Sequence, residues 1–172
     1  MTTKNAPAAD TARETLFLKM TLGAWDIQNS RVTKLLDTLT PEQLAAPTAS
    51  GRNSGTYLIG HLVAVADGML PVLGLGEKLY PQLESIFLTN PENPATETPS
   101  LEELKKYWHE VITTLSNYFK DISTEEWFSR HTAVSAEDFA KEPHRNKLNI
   151  VINRTNHTSY HLGQMVYLKP KQ

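Results

Sequence analysis

The chain has 172 residues, 40% of them apolar and 21% charged, which suits one domain with a real core and is too short for two. A net charge of −2 speaks against a broad electrostatic pull toward nucleic acid or an anionic membrane. The absence of cysteine excludes disulfides, thiolate metal ligands and a thiol nucleophile of the protein's own, and suits a reducing compartment.

Residues 1–10 are polar and small and read as a flexible N-terminal tail ahead of a single domain over residues 11–170. No apolar signal core follows Met1, and no run approaches the roughly 18 apolar residues of a membrane span, so a cytoplasmic protein is expected. From Thr11 to Leu39, Leu18, Leu22, Trp25, Val32, Leu36 and Leu39 recur at helical spacings. Asn29 interrupts that stripe. A polar residue on a buried face needs a partner; Asn29 either bonds backbone or water at the edge of the stripe, or lines a polar pocket.

Thr40-Pro41 ends the first helix, and Glu42-Gln43-Leu44 can add a short turn. A loop rich in Pro, Gly, Ser and Thr covers residues 46–53. Ser54 suits an N-cap for a second helix whose stripe is Leu58, Leu62, Val65 and Met69, ending near Pro71 or Gly74. His61 stands beside that stripe. Gly60, Ala64, Ala66 and Gly68 permit close approach of a neighbour.

Residues 74–100 form the longest interruption, punctuated by proline. Ser100-Leu101-Glu102-Glu103 is a capping box that opens a third helix. Its seam is Leu101, Leu104, Trp108, Val111, Leu115, Tyr118 and Ile122. Thr124 to Phe128 suggests a further turn, and residues 129–146 read as irregular. The last helix runs from about Asn146 to Leu168 and stops at Pro170. Leu148, Val151, Thr155, Ser159, Leu162 and Val166 are its expected packing face; Ile150, Asn153, Arg154, His157, His161, Gln164 and Leu168 form the adjacent one. Four amphipathic helices with few strand signals predict an all-α fold, a four-helix bundle with a long connection between helices 2 and 3.

His157 and His161 stand four residues apart and so share one helix face. By itself that spacing is more often a solvated face than a ligand pair. His61, among apolar and small residues on another helix, supplies the third imidazole of a candidate metal site. Three histidines leave coordination positions open for water or substrate, whereas structural zinc sites are closed by four ligands. Asn153 and Gln164 are spaced to hydrogen-bond the imidazoles. The run His157-Thr158-Ser159-Tyr160-His161 lacks the glutamate of a metalloprotease helix, and no Glu-x-x-His pair of a di-iron bundle occurs. His109 is expected at a helix flank, and His131 and His144 on the surface.

Gly60-His61-Leu62 and His161-Leu162-Gly163-Gln164, in this helical order, resemble the DinB-like superfamily, which takes in metal-dependent hydrolases and bacterial thiol S-transferases. The resemblance spans about Thr11 to Leu168. It departs at Leu162, where members commonly carry a basic residue. It implies a four-helix bundle of bacterial type with a divalent metal on His61, His157 and His161, and a homodimer. Imidazole suits zinc, nickel, iron and copper alike.

A first function follows from it: a metal-dependent transferase that activates a low-molecular-weight thiol against a small-molecule electrophile, with Arg154 placed to receive a carboxylate of that thiol or else, as a surface residue, paired with a loop acid. A second is a metal-dependent hydrolase with metal-bound hydroxide as nucleophile, for which Asp26 and Asp67 are the nearest candidate bases. A third is a non-enzymatic metal-binding stress-response protein. No nucleic-acid or membrane partner is expected.

Overall fold

Polar caps set where the helices begin. Thr40, Ser54, Ser100, Ser123, Ser135 and Asn146 all sit in extended backbone, and each side chain accepts the backbone N–H three residues on. A computed structural model describes residues 6–170, with side chains from Thr11 onward. Its helices are α1 (Ala6–Thr38), α2 (Pro41–Ala45), α3 (Gly55–Asp67), α4 (Met69–Leu73), α5 (Leu101–Asp121), α6 (Thr124–Trp127), α7 (Ala136–Lys141) and α8 (Lys147–Met165). A short π-helical segment covers Ser85–Thr89, and a 3-10 turn, Val166–Leu168, continues α8. The protein is all-helical, and no β-strand occurs among the described residues beyond two isolated bridges.

Of the expected tail, residues 1–5 lie outside the described residues, and the backbone of residues 6–10 is already the start of α1. The third helix begins at its capping box, with both reciprocal hydrogen bonds formed between Ser100 and Glu103.

Helix α1 lies along α8, while α3 packs on α5, α8 and the π segment. Leu58, Ile59, Leu62, Val63 and Ala66 of α3 are buried on several sides of the helix, so α3 is the innermost element. Each fully buried Leu, Ile or Val contributes roughly 1.5–3 kcal/mol relative to exposure, so the axis of α3 is firmly held. By length and composition Gly55–Leu73 could cross a membrane, but most of it is buried inside the protein. Trp25 and Trp127 both pack on Phe119, and the Trp108 indole donates to Thr33 Oγ1 at 3.0 Å.

The segment between α4 and α5 is anchored to the core. Gly74, at φ 73°, turns the chain out of α4. Asp67, 1% exposed, accepts the N–H groups of Leu79 and Tyr80, both at 2.8 Å. Phe87 and Leu83 then bury themselves in the core.

Four local readings change. Residues 136–141, expected as irregular, form α7 behind its Ser135 cap. On α5 the chain buries Phe119 and leaves Tyr118 exposed, because Phe119 meets Trp25 and Trp127. On α8 the packing face is Leu148, Val151, Thr155, Thr158 and Met165, followed by Leu168; Val166 is exposed. His131 is buried, its Nδ1 accepting from Ala133 N at 3.2 Å, while His109 and His144 are exposed as expected.

Candidate metal centre

His61 lies in the second turn of α3, and the start of that helix is fastened from outside. Ser54 caps it, and the Glu92 carboxylate accepts both the Ser54 N–H, at 2.7 Å, and the Ser54 hydroxyl. The Tyr57 hydroxyl donates to Asn90 O at 2.6 Å. These bonds hold the π segment against α3. There the Phe87 carbonyl accepts the His61 Nδ1–H at 2.9 Å. The imidazole is thereby fixed with its Nε2 lone pair bare.

His157 and His161 face the same point from α8. His157 Nε2 lies 3.1 Å from His61 Nε2 and 3.1 Å from His161 Nε2. His161 Nδ1–H donates to Gln164 Oε1 at 2.8 Å, which leaves the His161 Nε2 lone pair bare as well. Gln164 is itself oriented by donating to the Tyr160 hydroxyl at 3.3 Å.

Three ring nitrogens so placed cannot all be satisfied by one another. A single N–H on His157 Nε2 can serve one neighbour and leaves the other lone pair facing it. One cation among the three satisfies every nitrogen. Two nitrogens bound at right angles to one ion at about 2.1 Å would stand about 3.0 Å apart, close to the spacing found. The three histidines form a cluster, with ligand atoms all within 4.8 Å of one another, that could hold a metal ion. His157 Nδ1, buried without a partner, is the N–H left over when Nε2 ligates.

Electrostatics favours the neutral imidazole at His157 and His161. Burial, and then the neighbouring His161, His61 and Arg154, push His157 down to about 4. Burial likewise lowers His161, against the raising effect of its bond to Gln164.

The remaining sequence candidates divide. Gln164 touches the site as expected. Arg154 lies beside His157, partly buried, with a shielded Nε that finds no acceptor; burial lowers its pKa. Asn153, one turn before His157, is exposed. Asn29, 3% exposed and with neither amide atom bonded, lines a groove between α1 and α5 together with Asp26. The carboxylate of Asp67 is spent on Leu79 and Tyr80. The partner that sequence reasoning missed is the Phe87 carbonyl. Its one trace in the sequence is Gly60, where an added Cβ would stand 2.4 Å from Phe87 Cε1 and Cζ.

A cavity of about 180 Å³ opens beside His161, between α8 and the loop that precedes α3. Thr48, Gly51, Arg52, Asn53, Leu58, Tyr160 and Gln164 line it with His161, and no carboxylate does.

Comparison with known proteins adds the family. A family model described as the DinB superfamily matches residues 24–165. A solved structure described as the conserved protein of a locus from Enterococcus faecalis is similar at 17% identity and a TM-score of 0.60. That likeness covers 87% of this chain and 93% of the other, and it speaks to the fold alone. No curated protein matches the chain.

Proposed function

The chain belongs to the DinB superfamily, and on that footing we propose that His61, His157 and His161 bind one divalent ion at which a small thiol is activated for transfer to an electrophile. The reading includes the four longer helices acting as the bundle of that superfamily, spanned by the anchored segment between α4 and α5, in a cytoplasmic bacterial homodimer. The observation that carries it is the convergence of three Nε2 atoms, two of them with tautomers set by Phe87 and Gln164.

An ion on three neutral imidazoles keeps its full charge and lowers the pKa of a thiol or water at its open positions. The protein's own residues supply the rest. The Phe87 carbonyl and Gln164 amide orient two of the imidazoles and raise their basicity as ligands. With no cysteine in the chain, the thiol comes from solution.

Transfer is favoured over hydrolysis because Asp67 is engaged elsewhere and Asp26 lines the α1–α5 groove. A thiol, ordinarily ionising near about 8.5, needs only modest help, whereas a hydrolytic water gains from a nearby base. Incubating the metal-loaded protein with a panel of thiols and a model electrophile tests this. Thiol consumption that disappears in His161→Ala supports transfer. Product release without thiol supports hydrolysis. Silence in both assays with metal bound supports a binding protein without turnover.

A further inference from the structure

We propose that the cavity beside His161 is the subsite for an anionic oxygen group of the substrate, a carboxylate or phosphate, and that Arg52 is its anchor. The proposal rests on the metal reading above and says what the site selects.

The loop that carries Arg52 is built, not slack. Thr48 N–H and Thr48 Oγ1–H both donate to Asn53 O, at 3.0 and 3.1 Å, and Arg52 N–H donates to Ala49 O at 3.0 Å. Gly51 closes the turn at φ 68°, a conformation that other residues rarely adopt. Gly55 N–H donates to Ala46 O at 3.2 Å, tying the loop to the start of α3, the helix that carries His61. A Cβ at Gly55 would meet the Leu44 carbonyl oxygen at 2.9 Å, so this closure is tight. Arg52 and His161 are therefore held across one cavity by elements that also hold the histidines.

Arg52 is the one formally charged side chain in the lining. Arg52, Thr48, Asn53 and Tyr160 line the space, and no acid does. Among the described residues no carboxylate forms an ion pair with the Arg52 side chain, so its charge is not already spent. The Tyr160 hydroxyl accepts from Gln164, which leaves its own proton to donate. A divalent ion next to His161 would add positive charge at the inner end. Guanidinium matches carboxylate and phosphate oxygens with two parallel N–H bonds. At about 180 Å³ the cavity is smaller than the several hundred Å³ of a drug-sized site, which suits a metabolite-sized group.

The test uses the full chain loaded with cobalt(II), whose visible spectrum reports its ligands. Malonate, inorganic phosphate and uncharged malonamide are titrated into wild type, Arg52→Gln and Arg52→Lys. The wild type is expected to bind malonate or phosphate and to ignore malonamide. Which anion binds more tightly identifies the source of the oxygen group. Arg52→Gln should weaken that binding about tenfold or more, with Arg52→Lys in between. Cobalt content and the anion-free spectrum should be unchanged in both variants, since Arg52 is exposed and ligates nothing. Equal affinity in wild type and Arg52→Gln, or no anion binding by the cobalt-loaded wild type, overturns the assignment and leaves the metal site standing. Failure of the wild type to take up cobalt removes the metal reading, and this proposal with it.

Discussion

The ring of Phe87 lies where the side chain of residue 60 would be. A Cβ at Gly60 would stand 2.4 Å from Phe87 Cε1 and Cζ, and the carbonyl of the same phenylalanine accepts the His61 Nδ1–H. Gly60→Ala must push the π segment off α3. Overpacking of this kind costs about 1–3 kcal/mol. At about 2–4 °C per kcal/mol for a chain of this size, thermal unfolding should drop by a few degrees or more. Metal affinity should fall as well, because the His61 acceptor moves with the ring. Unchanged metal affinity in Gly60→Ala would mean that Phe87 does not position His61.

Gln164→Leu removes the acceptor of His161 Nδ1–H and keeps most of the volume. Loss of such an outer hydrogen bond typically lowers metal affinity about 10–100-fold. Competition with a chromophoric chelator measures it. Gln164→Glu keeps an acceptor and should retain metal, so the pair of variants separates the hydrogen bond from packing.

Glu92→Ala leaves the Ser54 N–H and hydroxyl at the start of α3 without their carboxylate. Partly buried, that contact is worth about 1 kcal/mol. Denaturant unfolding of the metal-free protein should show this loss. Ser54→Ala should cost more than Glu92→Ala, because it also removes the cap on the Tyr57 N–H, and the double variant should fall short of the sum because both changes break one network.

Acid should destabilise the metal-free protein. The His157 imidazole is held down to about 4 in the fold, by burial first and then by the neighbouring His161, His61 and Arg154. It ionises near about 6.5 when unfolded. Between those values the unfolded chain binds a proton that the native one does not, so the stability this histidine retains above about pH 6.5 is lost as pH falls toward about 4. His161, also lowered, acts in the same direction. Urea titrations from pH 7.5 to 4.5 should show the decline, and His157→Gln should flatten it. A wild-type slope equal to that of the variant would contradict the assignment.

Much of the fold and the three histidines of the cluster were legible in the sequence, for reasons that the structure makes plain. Caps such as Ser54, Ser100 and Asn146 act within three residues, so local chemistry announces them. The pair His157 and His161 is set by helical period alone. Long-range contacts were not legible. Phe87 reaches His61 across 26 positions, and only the small side chain at 60 hints at it. The fates of Asn29 and Asp67 depended on which neighbour arrived, α5 for one and the segment after α4 for the other. Tyr118 and Phe119, adjacent and both aromatic, were separable only once Trp25 and Trp127 were in place. His131 is buried by contacts around its own loop that no periodicity encodes.

The metal content of untagged protein tests the central claim most directly. The account predicts about one divalent ion per chain after purification, lost in His61→Ala, His157→Ala and His161→Ala, with metal–nitrogen distances of roughly 2.0–2.2 Å to all three imidazoles in a loaded crystal. Protein that carries no metal, and whose melting temperature does not move when zinc or nickel is added, would contradict it.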